Sequence, residues 1–361
     1  MVLTTPTYEQ VIENLSVTET NLILIGEKNG LDIARLIRYC NENKILIAGG
    51  TFPGIIHENS HSDSDVLIKN FPAATKIKIF KDLQNNNDFD FPVLEDNQHS
   101  ALLFIDGLSS KISYFLENTY SYYWDKIKFI GGGCGSLSLV QQPCVFSNEG
   151  FFMDAALMLF LNYKLNAGVK HGWERISGPF VVSAAKGNVI HELNWRPAFE
   201  VYKETLFANG VKDINAENFF NIAKAFPFGI FKEGTEDIVR DPIVTDGKSL
   251  TCVGEVLSNS VVNILYGEKS DLIAGAQQAA IDAFQNEEIK DTLIVDCISR
   301  CLFQDEEFSN ELNSIQQVIK EKKINIPSEG ILSLGEISSY GDGYLEFFNK
   351  TIVVGAFQNH D

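Results

Sequence analysis

The chain has 361 residues, of which 45% are hydrophobic and 21% charged, so a packed core is expected and a disordered chain is excluded. The net charge of −19 argues against a nucleic-acid partner, because phosphates would be repelled over most of the surface. No run of about 18 apolar residues and no signal-peptide pattern occurs, so we expect no membrane partner and a cytoplasmic location.

The first predicted unit, residues 21–50, consists of a strand, a helix and a second strand. The run LILI predicts a buried strand. The apolar residues from Ile33 onward have the i, i+3, i+4 spacing of an amphipathic helix, which is capped near Asp32. The run ILIA predicts the second strand, which ends in the motif GGTFPG at 49–54.

The same plan recurs twice along the chain. Residues 101–139 predict a strand, a helix around 111–123 and a strand that runs into GGGCGS at 131–136. Residues 292–337 predict a strand, a helix at about 305–322 and the closing motif GILSLGEI. Units of this length pair strands in parallel or mixed sheets and place helices over them. We therefore predict an α/β protein with mixed sheets, covering helices and repeated strand–helix–strand units.

Between the second and third units the pattern changes. Residues 178–193 predict a β-hairpin, a helix begins at Pro197, and residues 237–254 predict a second hairpin. We place a boundary between two related modules, residues 1–195 and residues 196–361. No Pro/Ser-rich linker marks it, so the two modules are expected to pack against each other.

The glycines after the predicted strands suggest three types of site. Gly49 and Gly54 have the spacing of a phosphate-binding loop, but Ile55 and Ile56 replace the required lysine and hydroxyl residue, which excludes that loop. A structural turn and a ligand-facing backbone both remain open at each motif. Three such motifs at strand ends favour a ligand crevice, because ligands in open α/β sheets bind beyond the carboxyl ends of the strands.

Other chemistries have weaker support. The six cysteines form no CxxC pair and are expected to be thiols; Cys134, Cys297 and Cys301 are the candidate nucleophiles of a cysteine-dependent enzyme. His171, in a His-Gly-Trp corner, is either a structural residue or a residue that lines a cavity or binds a haem iron. The stretch HENSHSDSD at 57–65 lacks HExxH or a nearby cysteine and is interpreted as a solvated loop, so no metal site is predicted.

Two arginines lie in patterned segments, Arg240 in RDP and Arg300 in DCISR. A guanidinium beside an apolar strand needs a carboxylate, a carbonyl or an anionic ligand. Glu336 is the candidate protein partner of Arg300, and a ligand carboxylate is the alternative.

In order and spacing, the motifs resemble the FIST family, a bacterial sensory domain with N- and C-terminal modules, over roughly residues 20–357. They are GGTFPG at 49–54, GGGCGS at 131–136, HGW at 171–173, RDP at 240–242, DCISR at 296–300, GILSLGEI at 330–337 and NKTIVVGAF at 349–357. The resemblance implies a small-molecule-binding sensory protein of signal transduction, not an enzyme, with amino acids as the ligand class. One branch resembles a haem-based nitric-oxide sensor that regulates a histidine kinase.

Three departures from the family pattern suggest an altered ligand preference. Ser299 stands where glycine is usual in the family, Ile55 where the family has glutamate in the first copy of the motif, and Phe348 where a histidine is usual. The resemblance and the motifs together give these expected ligand-binding residues: Gly49, Thr51, Gly54, Gly133, Cys134, Arg240, Cys297, Arg300, Gly335 and Glu336. No cofactor is expected, with haem on His171 as the alternative. The chain shows no kinase, cyclase or methyl-accepting segment, so a histidine kinase or another signalling protein is expected to act in trans.

Overall fold

The computed structural model describes residues 1–73, 75–285, 288–341 and 343–359. The helices of these residues are α1 (Tyr8–Glu13), α2 (Ile33–Glu42), α3 (Ile112–Tyr123), α4 (Ala198–Ala208), α5 (Phe219–Ala223), α6 (Lys269–Ala283), α7 (Ile298–Gln304) and α8 (Phe308–Glu321), with a 3₁₀ turn at Asp305–Glu307. The predicted cap is confirmed, since the Asp32 side chain accepts a hydrogen bond from the Arg35 N–H at the start of α2.

The strands build four sheets. They are β1 (Val2–Leu3), β2 (Glu19–Gly26), β3 (Leu46–Phe52), β4 (Gly54–His57), β5 (Ser60–Ser62), β6 (Val66–Pro72), β7 (Lys76–Phe80), β8 (Ser100–Asp106), β9 (Lys128–Cys134), β10 (Val145–Ser147), β11 (Gly150–Phe152), β12 (Ala156–Leu161), β13 (Tyr163–Lys170), β14 (Glu174–Lys186), β15 (Val189–Leu193), β16 (Arg196–Pro197), β17 (Phe228–Ile230), β18 (Ile238–Thr245), β19 (Leu250–Val253), β20 (Val261–Tyr266), β21 (Ile289–Cys297), β22 (Glu329–Ser333), β23 (Glu336–Ser338), β24 (Glu346–Phe348) and β25 (Ile352–Asn359).

Three of the sheets share one topology. Their strand orders are β1-β6-β2-β3-β10-β11 in sheet I, β7-β12-β8-β9-β23-β24 in sheet II and β13-β25-β21-β22-β4-β5 in sheet III. The two central strands of each sheet are parallel, and the other pairings are antiparallel. Each parallel pair is one of the predicted strand–helix–strand units. The α/β class and the three repeated units are therefore confirmed.

Each unit gives a hairpin to another unit's sheet. The chain leaves β3 of sheet I and forms the hairpin β4–β5, which pairs with β22 of sheet III. It leaves β22 and forms β23–β24, which pairs with β9 of sheet II. It leaves β9 and forms β10–β11, which pairs with β3 of sheet I. This cyclic exchange joins the three units into one body.

One core lies between the three sheets, and each sheet has a second core on its outer face. The common core takes Leu22 from sheet I, Phe104 from sheet II and Val295 from sheet III. The outer face of sheet I packs against α2, that of sheet II against α3, and that of sheet III against α6 and α8. Both faces of each sheet are buried, which explains the nearly continuous apolar runs of the central strands.

The glycines at 49–50 and 131–133 lie inside β3 and β9 rather than in turns, and none has a φ in the left-handed region. The second strand of each parallel pair contains one such glycine. A Cβ on this glycine would lie closer than 3.0 Å to the carbonyl oxygen of the residue paired with it on the first strand. These glycine–partner pairs are Gly49 with Ile23, Gly131 with Leu103, and Gly330 with Ile294. The glycines therefore permit a close approach of two strands, and the expectation that they form strand-end turns was wrong.

The fourth sheet belongs to an inserted unit, residues 174–266, which has its own core with α4 and α5. Its strand order is β14-β20-β17-β18-β19-β15-β16, and an additional β14–β15 pairing closes the strands into a ring. The two predicted hairpins are β14–β15 and β18–β19. The boundary at 195 falls inside this unit, and strands from both sides of it share sheets II and III. The division into two modules stays a prediction from the sequence, and the two modules are not separate bodies in the fold.

Candidate functional site

A cavity of about 680 Å³ lies between the inserted unit and the three-sheet body. From the inserted unit, β18, β19 and the β14–β15 turn line it; from the body, the loop after β8, the start of α7 and Asn349 line it. Most of the lining is apolar. A cavity of this size, with few polar groups, is typical of a site for a small metabolite.

The polar groups of the cavity include two side chains with open hydrogen-bonding atoms. Asp241 and Asn349 both line the cavity, and each is only 1% exposed. Among the described residues, no hydrogen-bond partner is found for Asp241 Oδ1, Asn349 Oδ1 or Asn349 Nδ2. Buried polar atoms in folded proteins are almost always hydrogen-bonded. These three atoms are therefore the strongest candidates to contact a ligand.

A buried lysine supports Asp241 from behind. Lys350 Nζ lies 3.2 Å from Asp241 Oδ2, and the same ammonium lies 5.3 Å from the centre of the Trp173 ring. Trp173 is held in turn, because its Nε1–H donates to the carbonyl of Lys350 at 3.2 Å. Burial raises the pKa of Asp241, and the positive charge of Lys350 opposes that shift.

Cys297 and Glu336, two of the predicted site residues, meet at the edge of the cavity. Cys297 lines it, and the Cys297 Sγ lies 3.2 Å from the Ser299 Oγ. Glu336 lies behind the lining, where its carboxyl group accepts from the Ser333 hydroxyl at 2.9 Å and from the Thr351 N–H at 3.3 Å. Burial raises the pKa of Glu336 to about 8.

The thiols have surroundings that do not suit a nucleophile. Burial raises the pKa of Cys297 and of Cys134, and both residues are buried. Cys301 is buried as well, and burial raises its pKa to about 12. A nucleophilic cysteine needs a thiolate, which these environments disfavour at neutral pH. The geometry therefore does not support the cysteine-dependent enzyme.

Arg300 does not reach the cavity. It is fully buried, and its Nε and Nη2 donate to both carboxylate oxygens of Glu311 at 2.9 Å. The remaining N–H groups donate to the main-chain carbonyls of His171, Leu272 and Lys350. All five guanidinium donors thus have protein acceptors, so the proposal that Arg300 binds a ligand carboxylate is not supported. Its main partner is Glu311, and Glu336 accepts hydrogen bonds elsewhere.

Arg240 is also a structural residue. Its Nε donates to the carbonyl of Glu255 at 2.8 Å, and its Nη1 donates to the carbonyls of Val239 and Phe347. These bonds connect the inserted unit to the three-sheet body beside the cavity, because Phe347 belongs to β24. Arg240 therefore positions the cavity wall and does not line it.

The ring of His171 is held at one nitrogen. Its Nδ1 accepts from the Trp173 N–H at 2.8 Å, whereas its Nε2 lies 3.5 Å from Glu236 Oε2 and has no hydrogen-bond partner among the described residues. Burial lowers the pKa of His171. His171 does not line the cavity, and Glu236 occupies the side from which an iron would approach Nε2. The position of His171 outside the cavity gives no support to a haem there.

The remaining predicted residues lie where the three units meet. The Gly135 N–H donates to the Thr51 carbonyl at 2.9 Å, and the Gly133 N–H donates to the Gly335 carbonyl at 2.7 Å. A Cβ on Gly54 would lie 2.9 Å from a methyl group of Leu332. The glycine motifs therefore lie close together, but they contact one another. None of these residues lines the cavity.

Of the three equivalent strand ends among the described residues, only that of the third unit places its last strand residue in the cavity lining, although the loop after β8 of the second unit lines the cavity as well. Cys297 ends the first strand of the third unit, as Asp106 does in the second unit and Gly26 in the first. The Asp106 carboxylate accepts from Gln141 Nε2 at 2.8 Å and from the Asp154 N–H at 2.7 Å, so its own loops fill that end. In the first unit, the backbone of Asp63 packs directly onto Gly26.

Family models match nearly the whole chain. The FIST N domain matches residues 23–196, and the FIST C domain matches residues 198–339. The chain belongs to the FIST family. FIST domains are sensory domains of signal-transduction proteins. No curated protein matches the chain. In the part of the chain that the structure describes, no helix has the length and apolarity to cross a membrane.

The FIST motifs do supply residues of the cavity lining, but these residues are the sequence neighbours of the ones expected to bind a ligand. RDP at 240–242 supplies Asp241, which lines the cavity, in place of Arg240. NKT at 349–351 supplies Asn349, which lines the cavity, and Lys350, which pairs with Asp241; neither was selected. Ser299 was noted only as a departure from the family pattern, and it also lines the cavity. A buried acid and an amide inside the motifs were the signals that could have identified them.

Proposed function

We propose that this FIST protein binds a small metabolite in the cavity and signals through a partner protein, such as a histidine kinase acting in trans. The observation that carries the proposal is a set of three buried atoms in a mostly apolar cavity, Asp241 Oδ1, Asn349 Oδ1 and Asn349 Nδ2, for which no hydrogen-bond partner is found among the described residues. The ligand accordingly has an apolar body and a small polar end. The family resemblance favours an amino acid or a similar metabolite as the first class to test.

The position of the cavity supports a sensory role. Asp241 belongs to the inserted unit, whereas Asn349 and Cys297 belong to the three-sheet body. A ligand that contacts both sides stabilises the arrangement in which the two parts are closed on it. A ligand shifts a conformational equilibrium only by its difference in affinity for the two states, and contacts on both sides supply such a difference.

A thermal-shift screen of amino acids and other small metabolites tests the proposal. At a hundredfold excess over Kd, a true ligand adds about 2.7 kcal/mol to the free energy of unfolding. Val244, at the mouth of the cavity, is 55% exposed, so Val244→Trp is expected to block entry without disturbing the core. Val261→Trp is the matched control, because Val261 is an exposed strand valine of the same sheet that does not line the cavity.

The proposal requires stabilisation of the wild type and of Val261→Trp, with the shift lost in Val244→Trp. A ligand that stabilises Val244→Trp as strongly as the wild type binds elsewhere and contradicts it. Mixing the ligand-loaded protein with a candidate histidine kinase and measuring autophosphorylation then tests the output.

A further inference from the structure

We propose that the polar end of the ligand is an uncharged carboxamide-type group, meaning an amide, lactam or ureide that is recognised by Asn349 and Asp241. This inference rests on the proposed function, since it names the ligand class of the same cavity. Three observations lead to it: the donors and acceptors left open, the charges around them, and the apolar mouth.

The open atoms are complementary to an amide. Asn349 offers one acceptor, Oδ1, and the two donors of Nδ2, and no partner for either atom is found among the described residues. A ligand amide can place its N–H on Oδ1 and its carbonyl oxygen on Nδ2 at the same time. Exchanging the two terminal atoms of Asn349 leaves this pairing intact. Asp241, which also lines the cavity, supplies a further acceptor, Oδ1, for a second ligand N–H.

The charges around these atoms are held by protein groups. Arg240 is close to this asparagine, but it does not line the cavity, and its Nε and Nη1 donate to main-chain carbonyls. The negative charge of Asp241 is paired with Lys350 at 3.2 Å, and both side chains are buried. Burial keeps the nearby Cys297 as a neutral thiol, since it raises the pKa of that residue. Glu255 also lines the cavity, but it is partly exposed to solvent. A ligand with a net charge would lose its hydration in the cavity without reaching an unpaired, buried charge among the described lining residues.

The mouth of the cavity indicates what the rest of the ligand is. Five large apolar side chains line the cavity and are 40% to 55% exposed. They come from the loop after β9, α5, β18 and α7, and they are Leu137, Leu139, Phe220, Val244 and Leu302. Exposed apolar residues that gather around one opening mark a binding site. An aliphatic or aromatic tail attached to the amide would cover these five side chains.

Four eight-carbon compounds with different head groups separate the alternatives. Octanamide, octanoate, octylamine and 2-aminooctanoic acid are titrated into the full-length protein by calorimetry. The expected result is that octanamide binds about tenfold or more tightly than each of the others, because an unpaired buried charge or polar group is disfavoured.

Two matched variants test the residue. Asn349→Asp removes the donor that the ligand carbonyl needs, so octanamide is expected to lose about tenfold or more in affinity while octylamine gains. Asn188→Asp introduces the same change at another lining asparagine, whose Nδ2 already donates to the Cys252 carbonyl at 2.9 Å. There the preference for octanamide is expected to persist. Thermal unfolding of the ligand-free variants verifies that each one is folded.

The outcomes distinguish the two proposals. Tighter binding of octanoate, octylamine or 2-aminooctanoic acid than of octanamide overturns the amide assignment and leaves the cavity as the ligand site. Equal loss of octanamide binding in both asparagine variants also overturns the assignment. Failure of all four compounds, together with failure of the metabolite screen, overturns the proposed function as well.

Discussion

At the scale of single residues, the buried acids distinguish this molecule from an ordinary α/β core. Glu336 is fully buried and keeps two hydrogen bonds, yet burial raises its pKa from 4.5 to about 8. The folded protein therefore holds a proton on Glu336 at pH values where the unfolded chain has lost it. By linkage, this group makes stability fall as the pH rises from about 4.5 to about 8.

Replacing this acid with its neutral isostere should flatten the pH dependence. Relative to Glu336→Gln, the wild type is expected to lose up to about 1.4 kcal/mol of unfolding free energy per pH unit within that window. Urea unfolding of both proteins at pH values between 5 and 8.5 measures the difference. Glu306→Gln, at an exposed position, should run parallel to the wild type. Parallel curves for Glu336→Gln and the wild type would show that Glu336 is ionised in the folded protein.

Residue types alone could predict some of the site but not the role of Arg300. The resemblance to the family selected Cys297 as a ligand-binding residue, and Cys297 lines the cavity. It could not show that Arg300 is already saturated by protein groups. Its acceptors come from Glu311, eleven residues away, and from His171, 129 residues away. Only the folded chain brings them together.

At the scale of elements, the repeated glycines set the spacing of the parallel pairs. Gly131→Ala would force a Cβ against the carbonyl of Leu103, and neither backbone can move without breaking the β8–β9 ladder. We expect a loss of about 3 kcal/mol or more in unfolding free energy, in the range of severe backbone and overpacking changes. Chemical denaturation measures it.

Gly54→Ala is the matched control for that change. The nearest atom to its new Cβ is a terminal methyl group of Leu332, which can rotate away. Its loss of stability should be clearly smaller. Similar losses for both variants would mean that the close approach of β8 and β9 is not the reason for the glycine.

The local elements were predictable because their signals are local. Apolar periodicity gave the strand–helix–strand units, and turn residues gave the hairpins β14–β15 and β18–β19. The exchange of β4–β5, β10–β11 and β23–β24 was not predicted. Those short hairpins pair with strands of another unit, and their own sequence does not indicate which strand that is.

At the scale of the whole molecule, the chain should divide at the inserted unit and not at the family boundary. Cutting at residue 195 removes β23 from β9 and β25 from β13. The fragment 1–195 alone is therefore expected to lack a cooperative thermal transition. Co-expression with 196–361 should restore it. Circular dichroism and calorimetry measure both.

Excision of residues 174–266 should be tolerated better. It leaves sheets I to III complete, and its flanking residues lie close together: a Cβ on Gly267 would lie 3.2 Å from the Gly172 carbonyl oxygen. A short glycine linker can join them. We expect a folded protein with a lower Tm. A cooperative 1–195 fragment, or an unfolded excision variant, would contradict this view of the architecture.

The cyclic hairpin exchange has a consequence for specialisation within the chain. Three identical subunits arranged in this way would carry three identical strand ends, and any sequence change would open or close all of them together. Linking the units in one polypeptide removes that constraint. Gln141 can bind the strand end of the second unit and the segment at Asp63 that of the first, while the strand end of the third unit carries Cys297 in the cavity lining. Covalent fusion thus lets a symmetric scaffold carry a single asymmetric receptor.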